Sequence, residues 1–309
     1  MATKKSTKKA TAAKSDSKKP TTANKTVTHV VEKPAKSIDS KLPKNLVNIV
    51  IAEVIGTFIL TLVALFSAYM MAPFYVGLTL VIMVLAIGAI SGAHINPAVT
   101  FGLWSMRKLK TVLVPFYWAA QFIGAMAAVV LLGSLSGGSF SVSFDHFTSF
   151  SWGIFAVELV GTAVFLFGLS AALSRTELKA TGKAVGIGMS LTLGLLVSGA
   201  LTPFVQSSAM KKFQEEQTAQ VDSKDNKEAN AKERTYPREL YIDGATLNPA
   251  VALAVTEKTD SQLQSGSPTS SQDEKSYSRL NLEVIFATLI GAALGGNLFL
   301  LINRKSSES

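Results

Sequence analysis

The sequence predicts an all-α membrane protein: six transmembrane helices plus two re-entrant half-helices, arranged as an inverted repeat. Three observations carry that expectation. Long, nearly uncharged apolar runs recur six times. Two Asn-Pro-Ala triplets each precede an apolar stretch too short to span a bilayer. The first half of the apolar region is echoed, motif by motif, in the second.

A bilayer core needs about 20 apolar residues per helix. Runs of that kind cover 46–66, 75–90, 112–133, 152–173, 183–204 and 280–303. The chain is 48% hydrophobic and only 17% charged, against roughly 25% charged residues in soluble domains. One such run can be a buried helix of a soluble protein, but six in one chain read as membrane spans.

Charge is concentrated ahead of the first run. Residues 1–44 hold twelve Lys and three acids, a net of +9, while the other 265 residues hold eighteen basic and eighteen acidic side chains. A basic tail on a neutral body argues against a nucleic-acid partner, which needs a basic face within the fold. Residues 1–45 have almost no large apolar side chains and are expected to form a disordered, Lys-rich cytoplasmic tail. They lack the apolar core of a cleavable signal. The tail either attracts anionic lipid, at about 1 kcal/mol per Lys near the surface, or serves as a solvated topology signal. The chain has no Cys, which excludes thiolate metal sites and Cys nucleophiles.

Short connections set the orientation. Arg107, Lys108 and Lys110 follow the second run, Arg175, Lys179 and Lys183 the fourth, and Arg304 and Lys305 the last. Residues 67–74 carry no charge, and 134–151 carry only Asp145 and His146. The positive-inside rule then places both termini, including the short 304–309 end, in the cytoplasm. Two polar insertions, 205–243 and 258–278, fall on the opposite side. The first mixes seven basic with eight acidic residues, and reads either as a lid over a pore mouth or as a plain solvated insertion.

Glu53-Val54-Ile55-Gly56-Thr57 is answered by Glu158-Leu159-Val160-Gly161-Thr162, and Phe122-Ile123-Gly124-Ala125 by Leu289-Ile290-Gly291-Ala292. Between these lie Asn96-Pro97-Ala98 and Asn248-Pro249-Ala250. Glu to Asn is 43 residues in the first half and 90 in the second, an excess roughly covered by the 205–243 insertion. Each unit has three spans, so successive units enter the membrane from opposite faces. Asn is a good N-cap and Pro a good first helical residue, so each triplet starts a helix. The stretches 97–104 and 249–256 would meet N-terminus to N-terminus near the midplane. Carbonyls of 92–95 and 244–247 would line a water-filled cavity as acceptors, with the Asn96 and Asn248 amides as donors at its centre.

On these motifs, and above all on SGAHINPAVTFGLW at 91–104, the chain resembles the aquaporin and glycerol-facilitator (major intrinsic protein) family over 46–303. The resemblance implies a passive channel for water or small uncharged solutes of glycerol or urea size. It implies no cofactor, no metal and no enzymatic activity, and a homotetramer in a cell or plasma membrane. It makes Asn96 and Asn248 the central pore donors and Glu53 and Glu158 the buried carboxylates that hold the half-helix backbone. His94 would pack beside the pore. One departure stands out. The family's filter Arg directly after the second triplet is replaced by Val251, and the other filter positions align with Val76, Leu195 and Ala245. An apolar filter without Arg is expected to be wide and to pass solutes larger than water. The alternatives are a weakly selective pore that leaks ions, or a non-conducting scaffold or adhesion protein. If the filter rejects solutes, Arg234 or Arg238 of the insertion would be the side chains folding back into it.

Overall fold

In the computed structural model the described residues are 42–66, 71–137, 140–222, 236–265 and 275–306. Residues 1–41 and 307–309 lie outside them, and with them most of the expected tail. Nine α-helices run through the described residues: α1 (Leu46–Phe66), α2 (Ala72–Ser91), α3 (Pro97–Ser105), α4 (Val114–Leu135), α5 (Trp152–Ser174), α6 (Ala180–Asp222), α7 (Pro249–Ala254), α8 (Asp260–Ser265) and α9 (Leu282–Ser306). Six of the helical stretches are long and apolar enough to cross a membrane, and they coincide with the six apolar runs. α3 and α7 are the two half-helices. The chain is an all-α membrane protein.

One boundary differs substantially from expectation. The fifth span was expected to end at 204, where the apolar run ends, but α6 continues to Asp222. Pro203 lies inside it and removes one ladder hydrogen bond. Beyond it, Gln, Glu, Lys and Ala are strong helix formers that sustain the helix without apolar burial. Lys211 and Glu215 face each other one turn apart on this exposed extension.

The repeat is visible in how the helices cross. α1 packs on α4 and α5 on α9, while α2 packs on α6. At the first two crossings sit equivalent glycines. A Cβ on Gly124 would collide with the Val54 carbonyl of α1, and one on Gly291 with the Leu159 carbonyl of α5. Small residues let spanning helices approach this closely, where lipid supplies no hydrophobic drive for association. Gly56 and Gly161 do the same for the half-helix connections, whose Ile95 and Leu247 side chains fill the space a Cβ would take. Large apolar side chains such as Ile51, Leu78, Ile123, Leu193 and Leu298 remain exposed on the spanning helices, as a lipid-facing surface requires.

Opposite the basic loops, residues 236–243, 258–260 and 275–278 of the two insertions fold onto the helical body as a collar, whereas 211–219 of the first stay almost entirely exposed. Arg238 bonds Glu257 at 2.9 Å, Glu283 at 2.6 Å and the Ser149 carbonyl at 3.0 Å. Ser143 bridges Tyr277, Thr256 bridges Ser278, and the His146 ring stacks on Tyr277. Tyr241 donates to Asp260, and the Gln206 amide to the Ile242 carbonyl. At the rim Asp145 is held below the usual carboxylate range by its hydrogen bond with Ser143 and then by Lys275. Residues 223–235 and 266–274 lie outside the described residues, so the lid expectation is left where they are concerned.

Candidate functional site

The connections before α3 and α7 run in unusual backbone. Ile95 and Leu247, each directly preceding the Asn of its triplet, sit at φ of 40° and 53°, and Ala93 at 49°. Left-handed conformations cost L-residues roughly 1–2 kcal/mol each, and persist only where the surroundings hold them. Here the holding groups can be named. Asn96 and Asn248 are extended N-caps whose Oδ1 atoms accept from Ala98 N at 2.8 Å and Ala250 N at 3.0 Å. Pro97 and Pro249 occupy the first helical position, where a missing N–H costs nothing.

The other end of each amide crosses the repeat. Asn96 Nδ2 donates to the Leu247 carbonyl at 2.8 Å, and Asn248 Nδ2 to the Ile95 carbonyl at 3.0 Å. Each side chain therefore caps its own half-helix and ties down the connection of the opposite one. Asn can do both because its amide carries an acceptor and two donors. One N–H per amide remains beyond these bonds. Of the carbonyls expected to line a cavity, those of Ile95, Leu247 and Gly244 each accept one bond from a protein donor and keep a second lone pair.

Behind each connection lies a fully buried glutamate. Glu53 accepts from the backbone N–H groups of His94 and Ile95 at 2.9 and 2.7 Å, from Ser91 Oγ at 2.7 Å and from Gln121 Nε2 at 2.8 Å. Glu158 accepts from the N–H groups of Thr246 and Leu247, both at 2.8 Å, from Thr246 Oγ1 at 3.0 Å and from Arg279 Nη2 at 3.3 Å. Hydrogen bonds to an ionised acceptor are about twice as strong as neutral ones. Four of them converging on each carboxylate supply the constraint that the left-handed residues need. His94 is buried, stacked on Tyr117 with centroids 4.4 Å apart, and within 3.1 Å of Thr100 Oγ1 through Nδ1.

The four residues expected to form the filter belong to, or pack against, one apolar cluster. Val76 and Val251 are among its buried members, and Leu195 and Ala245 pack against it. Arg238 is committed to the collar carboxylates, so it does not fold back to these positions; Arg234 lies outside the described residues. Gln121 and Arg279 were missed by sequence reasoning. Each is a polar residue at or inside an apolar stretch, which is a usable signal, although nothing local names its partner. Among the described residues no three His, Asp or Glu side chains gather as a metal site.

The family model described as "Major intrinsic protein" matches residues 41–210, more than half of the chain. Aquaporin NIP2-3 of Zea mays is 33% identical over a 192-residue alignment that covers 55% of this chain and 62% of that protein. The chain thus spans less than two thirds of the length of this plant relative. Aquaporin Z of Photorhabdus laumondii is 33% identical over a 178-residue alignment that covers 49% of this chain and 76% of that one. A crystal structure described as the aquaglyceroporin from Plasmodium falciparum aligns with a TM-score of 0.47 at 17% identity, covering 83% of this chain and 94% of that chain.

Proposed function

Since the chain belongs to the major intrinsic protein family, we propose that it is a passive transmembrane channel for water and small uncharged solutes. The observation that carries this reading is the reciprocal pairing of Asn96 and Asn248 with the Leu247 and Ile95 carbonyls. It sets two half-helix N-termini against each other, with one amide N–H of each Asn left over.

A file of water would accept from those N–H groups at the centre and donate to the remaining carbonyls on either side. Water dipoles then point in opposite directions in the two halves, which interrupts a proton relay. Each half-helix presents about half a positive charge at its N-terminus, and the two together oppose cations. At the mouth, Val76, Leu195, Ala245 and Val251 offer neither charge nor donors. Solutes of glycerol or urea size are therefore expected to pass alongside water.

The basic loops at 107–110 and 175–183 support cytoplasmic termini, which puts the collar outside. The expected setting is a cell or plasma membrane, with four copies assembled side by side, one pore each, and the Lys-rich tail attracted to anionic lipid.

Purified protein in liposomes is expected to raise osmotic water permeability with the low activation energy of pore flow. Asn96→Leu and Asn248→Leu each remove the midpoint donor and fill the lumen, so each should abolish the increase. Stopped-flow light scattering with separate water, glycerol and urea gradients measures both. Flux that survives both substitutions removes the mechanism. Ion leakage favours the weakly selective pore, and no flux at all favours a scaffold.

A further inference from the structure

The two halves of the site differ in charge. Glu53 meets only neutral donors: Ser91, Gln121 and two backbone N–H groups. Glu158, its counterpart, meets the guanidinium of Arg279. The same Nη2 that lies 3.3 Å from Glu158 Oε1 donates at 2.9 Å to the carbonyl of Gly244, where the connection into α7 begins. Arg279 is only 4% exposed. Its backbone N–H donates to the carbonyl of Val255, which closes α7, at 2.9 Å. The neighbouring Ser278 hydroxyl bonds the Ala252 and Leu253 carbonyls, both at 3.1 Å. Residues 278 and 279 are thus tied to the C-terminal end of the second half-helix by the Arg279 backbone and the Ser278 hydroxyl, and the guanidinium reaches the connection through Nη2. Nε has no partner among the described residues.

We propose that Arg279 is a positioning and specificity-determining residue for this channel: it fixes the outermost carbonyl of the second connection and supplies the permanent positive charge that Val251 does not. The inference rests on the channel reading above. A guanidinium does not lose its proton in proteins, and its field is weakly screened in a water-poor interior. Of the pair, the guanidinium is the member in contact with the Gly244 carbonyl, while Glu158 takes the N–H groups of Thr246 and Leu247 further along, so the positive group lies at the outer end of the connection. A carbonyl already engaged by a cationic donor is also a poor ligand for a dehydrated cation. Neutral molecules feel neither effect. The mouth can then be apolar at all four filter positions and still reject ions.

The test uses the intact chain in liposomes, with osmotic water flux and potassium and proton leak measured on the same preparations. Arg279→Gln gives Glu158 the kind of partner that Glu53 already has in Gln121. It is expected to raise cation leak relative to water flux about tenfold. Arg279→Lys keeps the charge and should keep the rejection. An unchanged ratio of leak to water flux in Arg279→Gln overturns the proposal, as does equal leakage by the Lys variant. If Arg279→Gln does not assemble, Arg279→Met is read in the same way, since it removes the charge and keeps most of the side chain's volume. The same rise in leak is expected there, and its absence is equally decisive. An unmodified protein that passes neither water nor solute removes the channel reading itself. A conducting protein with an unaltered Arg279→Gln profile removes only this inference.

Discussion

A buried carboxylate that accepts four hydrogen bonds has no spare acceptor and no tolerance for a donor in its place. Glu53→Gln puts an NH2 group against the N–H of His94 or of Ile95, leaving buried donors without acceptors at about 1–3 kcal/mol each. The variant should therefore lose thermal stability in detergent, measured as a fall in the aggregation temperature, while Glu177→Gln on the exposed loop should not. The same scale marks what the sequence made legible. Asn96 and Asn248 were readable because capping chemistry is local: Asn, then Pro, then a short apolar stretch. The partnership of Glu53 with Gln121 or of Glu158 with Arg279 is not local. Those pairs are 68 and 121 residues apart, and no periodicity encodes them. The left-handed backbone at Ile95 and Leu247 was hidden for the opposite reason. β-branched and bulky side chains ordinarily exclude that conformation, so the residues themselves advertise extended chain.

At the scale of elements, hydropathy identified spans but not helices. It placed all six crossings because the apolar runs are what the bilayer selects. It ended the fifth at 204 because Lys, Glu and Gln are costly in lipid, although they are good helix formers in water. The glycines were legible only as a pattern, and their contacts now rank them. A methyl added at Gly124 meets the Val54 and Phe58 backbone, whereas one at Gly199 meets nothing within 4 Å. Gly124→Ala is expected to destabilise the α1–α4 crossing by about 1–3 kcal/mol through overpacking. Gly199→Ala should be neutral or stabilising by up to about 1 kcal/mol, from helix propensity alone. Chemical denaturation in mixed micelles distinguishes the two.

For the molecule as a whole, the inverted repeat was legible and the collar was not. The repeat is written in matched apolar motifs. The collar is built from polar residues whose partners lie in separate segments, so composition alone left a lid and a solvated insertion both open. Charge, by contrast, is separated along the chain. The twelve Lys of residues 1–44 account for the whole net positive charge, and no span or triplet lies among them. Deleting residues 1–41 should leave assembly and flux unchanged. A peptide of those residues should bind vesicles containing phosphatidylserine and not neutral ones, with affinity falling steeply as salt shortens the Debye length. Co-sedimentation over a salt series checks both halves of that expectation.

The crossed asparagine bonds also impose an order on biosynthesis. They join residues 151 and 153 positions apart, an interval that takes a ribosome on the order of ten seconds to translate. Until Asn248 emerges, the Ile95 carbonyl and the Asn96 amide lie in a nascent half-molecule with no mates, in surroundings where each unmet polar group costs several kcal/mol. The first triplet cannot settle on its own, so the centre of the molecule is completed only after residue 248 has been made. A product that stops short of the second triplet keeps those groups unmet, and only a chain that reaches past it can hide them.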